Sequence, residues 1–373
     1  MRISQRRRPG WVAAVLAGCL LMTPAVAAQP ASAVADSAVT AVSREAYVWA
    51  DQPTAPQYIA STGYEYHSTG GTIEITRTSV GTYAVRFGDL AGSGGVAHAL
   101  AYGVGNSSLC AISSYRSSGR DLVVQVRCYD AAGEPADSRF VASFTDRQVT
   151  AVDAYFAYLF SDRARPVGPY RPAIAYDSTG EQVLVTRTGV GQYQVHLGSL
   201  DATWPGPYWD GFFTATAYSD SPVRCDVLDA FHFIPHDLPV RCHRPDGTPV
   251  DSRFTLTYAN RVNVLGAPAD HVSVMAKPQG AAAPFVVQWW GTAAQPTATR
   301  LGVGDYLVSF DTAPAPFGHA VASLQGIMVA PQYCTIAAWF PFNGLNHVRV
   351  NCWEGDGSGQ AADVWAFNVA FTT

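Results

Sequence analysis

Thr76-Arg77-Thr78-Ser79-Val80-Gly81-Thr82-Tyr83-Ala84-Val85-Arg86-Phe87 is the stretch on which the fold turns, because it returns twice along the chain. The second occurrence is Thr186-Arg187-Thr188-Gly189-Val190-Gly191-Gln192-Tyr193-Gln194-Val195-His196-Leu197, and the third is Thr299-Arg300-Leu301-Gly302-Val303-Gly304-Asp305-Tyr306-Leu307-Val308-Ser309-Phe310. Arginine, glycine and tyrosine keep their places in all three. Apolar residues on alternate positions, as in Tyr83, Val85 and Phe87, share one face of a β-strand. The glycine just before supplies a turn with positive φ.

Three further elements follow in register. An Ala-x-Ala strand comes first, as Ala99-Leu100-Ala101-Tyr102, Ala215-Thr216-Ala217-Tyr218 and Ala320-Val321-Ala322-Ser323. Then comes a cysteine pair: Cys110 and Cys128, Cys225 and Cys242, Cys334 and Cys352. The last element is Gly133-Glu134-Pro135-Ala136-Asp137-Ser138-Arg139-Phe140 and Gly247-Thr248-Pro249-Val250-Asp251-Ser252-Arg253-Phe254; the third occurrence departs, with Gly357 and then Asp363-Val364-Trp365-Ala366. Repetition in order at this period signals a tandem array. Short β-rich runs between Gly, Pro, Ser and Asp turns make each unit all-β, with about seven strands and no sustained helical period.

The expected fold is therefore three tandem immunoglobulin-like β-sandwich domains, each with one hairpin disulfide: repeat 1 over 34–148, repeat 2 over 149–264 and repeat 3 over 265–373. The cysteines sit on successive strands, so the bond staples a hairpin and is not the immunoglobulin inter-sheet bridge. Each bridge is worth about 3 kcal/mol by the chain-entropy estimate. Metal ligation by the cysteines would need clustered Cys-x-x-Cys spacing, which is absent. Short connections, Thr145 to Asp153 and Arg261 to Asp270, predict limited motion between units and a rod or compact triangle.

Residues 1–33 read as an export signal: Arg2, Arg6, Arg7 and Arg8 precede an apolar run from Trp11 to Met22 and small-residue cleavage sites. Pro24, Gln29 and Pro30 interrupt the run too early for a membrane span. Leu16-Ala17-Gly18-Cys19 also resembles a lipobox, which would anchor the chain by acylation at Cys19. The signal carries four arginines and no carboxylates, so its removal takes the formal charge from −5 to −9. That balance gives no electrostatic handle for nucleic acid or an anionic membrane. With 48% hydrophobic, 12% aromatic and only 14% charged residues the chain has ample core and is globular.

The combined pattern of Thr-Arg-Thr, Gly-x-Tyr, paired cysteines and Asp-Ser-Arg-Phe resembles uncharacterised secreted actinobacterial β-repeat proteins. The arginine-rich, lysine-poor composition agrees with a GC-rich bacterial source. The resemblance implies an extracellular compartment and repeat boundaries, and no activity.

The residues shared by the repeats invite structural readings first. Arg77, Arg187 and Arg300 are expected to pair with Asp137, Asp251 and Asp363 and fix strand packing. Ser138 and Ser252 have no accompanying histidine and no Gly-x-Ser-x-Gly elbow, and the third repeat has Val364 there. His98 and His319 are in register, with Thr214 between them in repeat 2. His232, His236 and His243 with Asp237 form the one histidine cluster, on a Pro-interrupted loop where a solvated edge is expected and no metal. No cofactor is expected.

One insertion stands out, Trp204-Pro205-Gly206-Pro207-Tyr208-Trp209-Asp210-Gly211-Phe212-Phe213. Aromatics held on a Pro-Gly turn suit a sugar-stacking or protein-binding platform, with Trp204, Tyr208, Trp209 and Asp210 as ligand-binding residues and Asp201 in support. The competing reading packs this loop against a neighbouring repeat. Trp289-Trp290 and Trp339-Phe340 lie in strand-like runs and read as core or interface. The expected function is a secreted, non-catalytic binding protein for a polysaccharide or a surface protein. The alternative is a structural or adhesion spacer of the cell envelope. An enzyme ranks last, since no acid–base pair, nucleophile with base or phosphate loop recurs.

Overall fold

A computed structural model describes residues 43–149, 153–203, 211–228, 237–268, 270–277, 285–291, 294–312, 317–325 and 331–373. The expected export signal, Cys19 and the Trp204–Asp210 stretch lie outside these residues, as do His232 and His236.

The protein is all-β. Its first nine strands are β1 (Ser43–Ala50), β2 (Gln57–Ile59), β3 (Glu65–His67), β4 (Ile73–Ser79), β5 (Thr82–Phe87), β6 (Val96–Ala101), β7 (Leu109–Ser118), β8 (Asp121–Tyr129) and β9 (Phe140–Arg147). They pair as two layers, β3-β1-β9-β6 and β2-β4-β5-β8-β7. The next eight strands are β10 (Tyr155–Ser161), β11 (Ile174–Asp177), β12 (Leu184–Gly189), β13 (Gln192–His196), β14 (Phe212–Tyr218), β15 (Arg224–Val227), β16 (Asp237–His243) and β17 (Arg253–Asn260). They repeat the pairing order, as β11-β10-β17-β14 and β12-β13-β16-β15. One short helix, α1 (Gly198–Thr203), interrupts them, where the sequence predicts no helix.

The last eight strands are β18 (His271–Lys277), β19 (Phe285–Gly291), β20 (Thr297–Gly302), β21 (Asp305–Phe310), β22 (His319–Gln325), β23 (Tyr333–Phe342), β24 (Leu345–Trp353) and β25 (Ala366–Thr372). Their sheets are β19-β18-β25-β22 and β20-β21-β24-β23. Each strand set thus has eight or nine strands, more than the seven expected. In the first two sets β2, β3 and β11 are short edge pieces of three or four residues, whereas the edge strand β19 of the third set has seven.

Alternation explains the layering. Burial alternates residue by residue along β8, β13 and β21, so one face of each is apolar and inward. Those faces meet the opposite sheet through aromatic pairs: Tyr83 with Phe140 at 4.9 Å, Tyr193 with Phe254 at 5.2 Å and Tyr306 with Phe367 at 5.0 Å between ring centroids. All three disulfides form as paired: Cys110–Cys128, Cys225–Cys242 and Cys334–Cys352. Each joins cross-strand partners within one sheet, confirming the hairpin staple.

The strand sets are joined to one another through their Ala-x-Ala strands. Tyr218, at the end of β14, bridges Ile112 of β7 in parallel, and Ser219 N–H donates to Ile112 O at 2.8 Å. Tyr102, just after β6, bridges Ile336 of β23 likewise, and Gly103 N–H donates to Ile336 O at 2.9 Å. β22 packs beside β15 to complete the cycle. Three equivalent contacts therefore close a ring, and residues 41–373 form one compact unit. Ala101, Ala217 and Ala322 are buried next to these junctions. β9, β17 and β25 are buried almost throughout, because their second face is covered by a neighbouring set.

Candidate functional site

The residues common to the three sets assemble into a clamp. Arg77 donates from Nε and Nη2 to the two carboxylate oxygens of Asp137 at 2.9 and 2.8 Å. Gly81 N–H donates to Asp137 Oδ1 at 2.9 Å, and the Tyr83 hydroxyl lies 3.1 Å from the same oxygen. Arg300, Gly304 and Tyr306 surround Asp363 in the same way, at 2.7–3.1 Å. Arg300 and these neighbouring donors hold the Asp363 carboxyl down to about 2. Ser138 and Ser252 each pass their N–H to the clamp tyrosine and their hydroxyl to the next carbonyl, which leaves neither hydroxyl poised as a nucleophile. The clamp ties the glycine turn to the strand entering the opposite sheet, and its donors and acceptors are spent on one another.

Gly81, Gly191 and Gly304 are fixed by space as well as by φ near +60°. A Cβ on Gly81 would stand 2.4 Å from Cys128 O, and on Gly191 2.5 Å from Cys242 O. The turn is pressed onto the disulfide strand, so only glycine fits there.

A second cluster lies where the three strand sets meet. His98, Thr214 and His319, equivalent by sequence register, line a cavity of about 60 Å³ together with Arg224 and Tyr333. His98 is wedged between Thr216 Oγ1 at 3.0 Å and Thr257 Oγ1 at 2.8 Å. His319 stacks on Tyr47 with ring centroids 4.8 Å apart. Burial drives the pKa of both imidazoles down to about 3, aided for His319 by the neighbouring His98, so both are neutral near pH 7. Arg224 crosses between sets to lie over the Tyr333 ring at 4.6 Å and to bond the Pro331 carbonyl. The cavity thus brings together two neutral imidazoles, small side chains of the Ala-x-Ala strands and the Arg224–Asp226 ion pair.

Of the expected cluster His232, His236, His243 and Asp237, only the last two are described, and they stand at opposite ends of β16. His243 is forced down to about 4 by burial and by the nearby cations of Arg224 and Arg241, while Asp237 lies 3.3 Å from His196. Among the described residues no group of three His, Cys, Asp or Glu could hold a metal ion.

Among the described residues, aromatic side chains also reach the surface in strand-like runs read as core or interface. Trp339 packs on the core beside Trp49 and Phe371, as expected, but Phe340 is 38% exposed and Phe342 60% exposed. Trp289 is also on the surface, at 37%. Phe340 and Phe342 follow one another on the β23–β24 hairpin and flank His347, with centroid separations of 5.2 and 6.2 Å. His347 is itself locked by Ser309 Oγ at 2.8 Å and the Phe342 carbonyl at 3.2 Å. Asn343 and Gly344 close the hairpin with φ of 49° and 78°, the two-residue turn that asparagine–glycine favours.

The corresponding tip in the first set is Arg116-Ser117-Ser118-Gly119-Arg120, wholly hydrophilic apart from its glycine. Pairing neighbours therefore do not demand the phenylalanines. The Asn-Gly dipeptide after Phe-Pro-Phe was the signal in the sequence that could have placed these rings on a tip.

No helix among the described residues is long and apolar enough to cross a membrane. In comparisons with protein family models, with curated proteins and with solved structures, nothing matches the chain.

Proposed function

We propose that the chain is an exported, non-catalytic binding protein of three tandem immunoglobulin-like sandwiches that takes a polysaccharide or a surface protein on exposed aromatic side chains. The observation that carries this reading is the cluster of Phe340, stacked on His347, and Phe342, tilted against it. Two phenyl rings are held in water by a rigid imidazole on a tight hairpin, where the first strand set places arginine and serine. Exposed rings of this kind lose little entropy when they bury against a flat partner. Three disulfides are consistent with an oxidising, extracellular compartment. Trp204, Tyr208, Trp209 and Asp210 remain part of the proposal on their sequence alone.

A spacer or adhesion role is favoured by a different observation: the arginine, glycine and aspartate kept in all three strand sets bond one another in the clamp, and the kept cysteines pair in the disulfides. Co-sedimentation with insoluble polysaccharides and bacterial cell walls separates the two. Binding by the wild-type chain that is lost in Phe340→Ser/Phe342→Ser, or in Trp204→Ala/Tyr208→Ala/Trp209→Ala, supports the binding reading. Absence of binding by all three proteins supports the spacer.

A further inference from the structure

We propose that the outer edge of β20 is an acceptor site for an extended polypeptide strand that places an aromatic side chain opposite Ala298. The argument comes from the other two strand sets, which cover the equivalent edge themselves. Ile75, Val185 and Ala298 are equivalent, since each pairs with a valine of the tyrosine strand: Val85, Val195 and Val308. In the first set β2 adds to β4, with Tyr58 opposite Ile75. In the second, Tyr170 sits opposite Val185 and exchanges both backbone bonds with it, at 3.0 and 2.9 Å.

No strand among the described residues adds to β20 on this side. Exposure agrees. Ile75 and Val185 are buried, at 1% and 0%, whereas Ala298 is only partly buried. Thr297 and Thr299 are exposed, whereas their counterparts Glu74, Thr76, Leu184 and Thr186 are half-covered. The covering segments come from residues 51–64 and 162–173, between the first and second long strands of their sheets. In the third set this connection is seven residues, 278–284, which lie outside the described residues.

The edge also lacks the usual guards against pairing, namely lysine, proline or a free charge within the strand. β20 reads Thr-Ala-Thr-Arg-Leu-Gly, and its one charge, Arg300, is spent on Asp363. By the register of Val185, the N–H and C=O of Ala298 face outward and can form the same two-bond ladder step. Alanine is the smallest of the three equivalent residues, and in the sister sets the tyrosine opposite is drawn inward, where Tyr170 joins the core and Tyr58 packs against it. Backbone bonds would supply affinity and the aromatic side chain opposite Ala298 selectivity, as in strand addition generally. This site is separate from the Phe340–Phe342 hairpin and does not depend on it.

The test uses the full mature chain and a fluorescent peptide with the sequence of residues 54–60, Thr-Ala-Pro-Gln-Tyr-Ile-Ala, read by anisotropy. Ala298→Pro removes the outward N–H while leaving the inward ladder intact, which an edge strand tolerates. The peptide is expected to bind the wild-type chain and to lose at least tenfold in affinity toward A298P whose melting temperature is unchanged. The same loss is expected when its tyrosine is replaced by alanine, or when the backbone nitrogen of that tyrosine is methylated, a change that leaves the protein untouched. Absence of peptide binding, or equal binding to A298P, overturns the proposal. So does a peptide-free dimer of the chain that A298P dissociates, because a second copy would then be the occupant.

Discussion

Arg187 and Asp251 meet through two parallel hydrogen bonds, Nε to Oδ1 at 2.8 Å and Nη2 to Oδ2 at 3.0 Å, and Gly191 N–H shares Oδ1 at 2.9 Å. The geometry belongs to a planar fork, which lysine cannot reproduce. Arg187→Lys should lower the thermal midpoint measurably and Asp251→Ala by more, since the alanine strands both the guanidinium and the glycine N–H. A melting curve for each variant checks the order; equal midpoints would contradict it.

Glycine at the clamp turn is required by both φ and space. Gly191→Ala should destabilise by about 2–3 kcal/mol, the range for a strained left-handed residue. Gly119, with φ of 63° and open space around its missing Cβ, is the control. Gly119→Ala should cost only about 1 kcal/mol. Urea titration of the two variants measures the gap.

Acid should weaken the fold in two stages. His98 and His319 have folded values near 3 against 6.5 for the free group, so the unfolded chain takes up protons first. Stability is therefore complete above about pH 6.5 and falls as pH drops from there toward 3. Asp363, near 2 when folded against 3.8, adds stability that is present above about pH 4 and lost as pH falls toward 2. Melting temperature against pH should show both declines.

The two histidines should respond oppositely to replacement. Neither ring nitrogen of His319 has a hydrogen-bond partner, whereas both of His98 do. His319→Phe keeps the stack on Tyr47 and should be neutral or stabilising at pH 7, while flattening the decline below pH 6.5. His98→Phe leaves the Thr216 and Thr257 hydroxyls without that partner and should cost about 1–3 kcal/mol.

Much of the scaffold was legible because its rules are local. Alternation fixed the inward face of β5, the recurrence of the cysteines selected their partners, and Arg77 on a strand end pointed to Asp137. What escaped were relationships without a local signature. Tyr102 and Ile336 bridge strands from opposite ends of the chain, and Ala99 and Ala101 look in sequence like any small core residues. Phe340 read as core or interface because it lies in a strand-like run; its exposure goes with its place near the Asn343-Gly344 turn of the hairpin. Tyr170 makes a single bridge and has no strand pattern around it. The short helix Gly198–Thr203 is too brief to show a period.

Closure of the strand sets into a ring has a consequence for how such a chain can change over generations. An open array grows or shrinks by duplicating or losing a unit, since each addition meets only its neighbour. Here every Ala-x-Ala strand is seated on the cysteine strand of another set, so a chain with two or four sets would have to redraw every junction. Variation is channelled instead into the tips and uncovered edges, and that is where the three sets differ most.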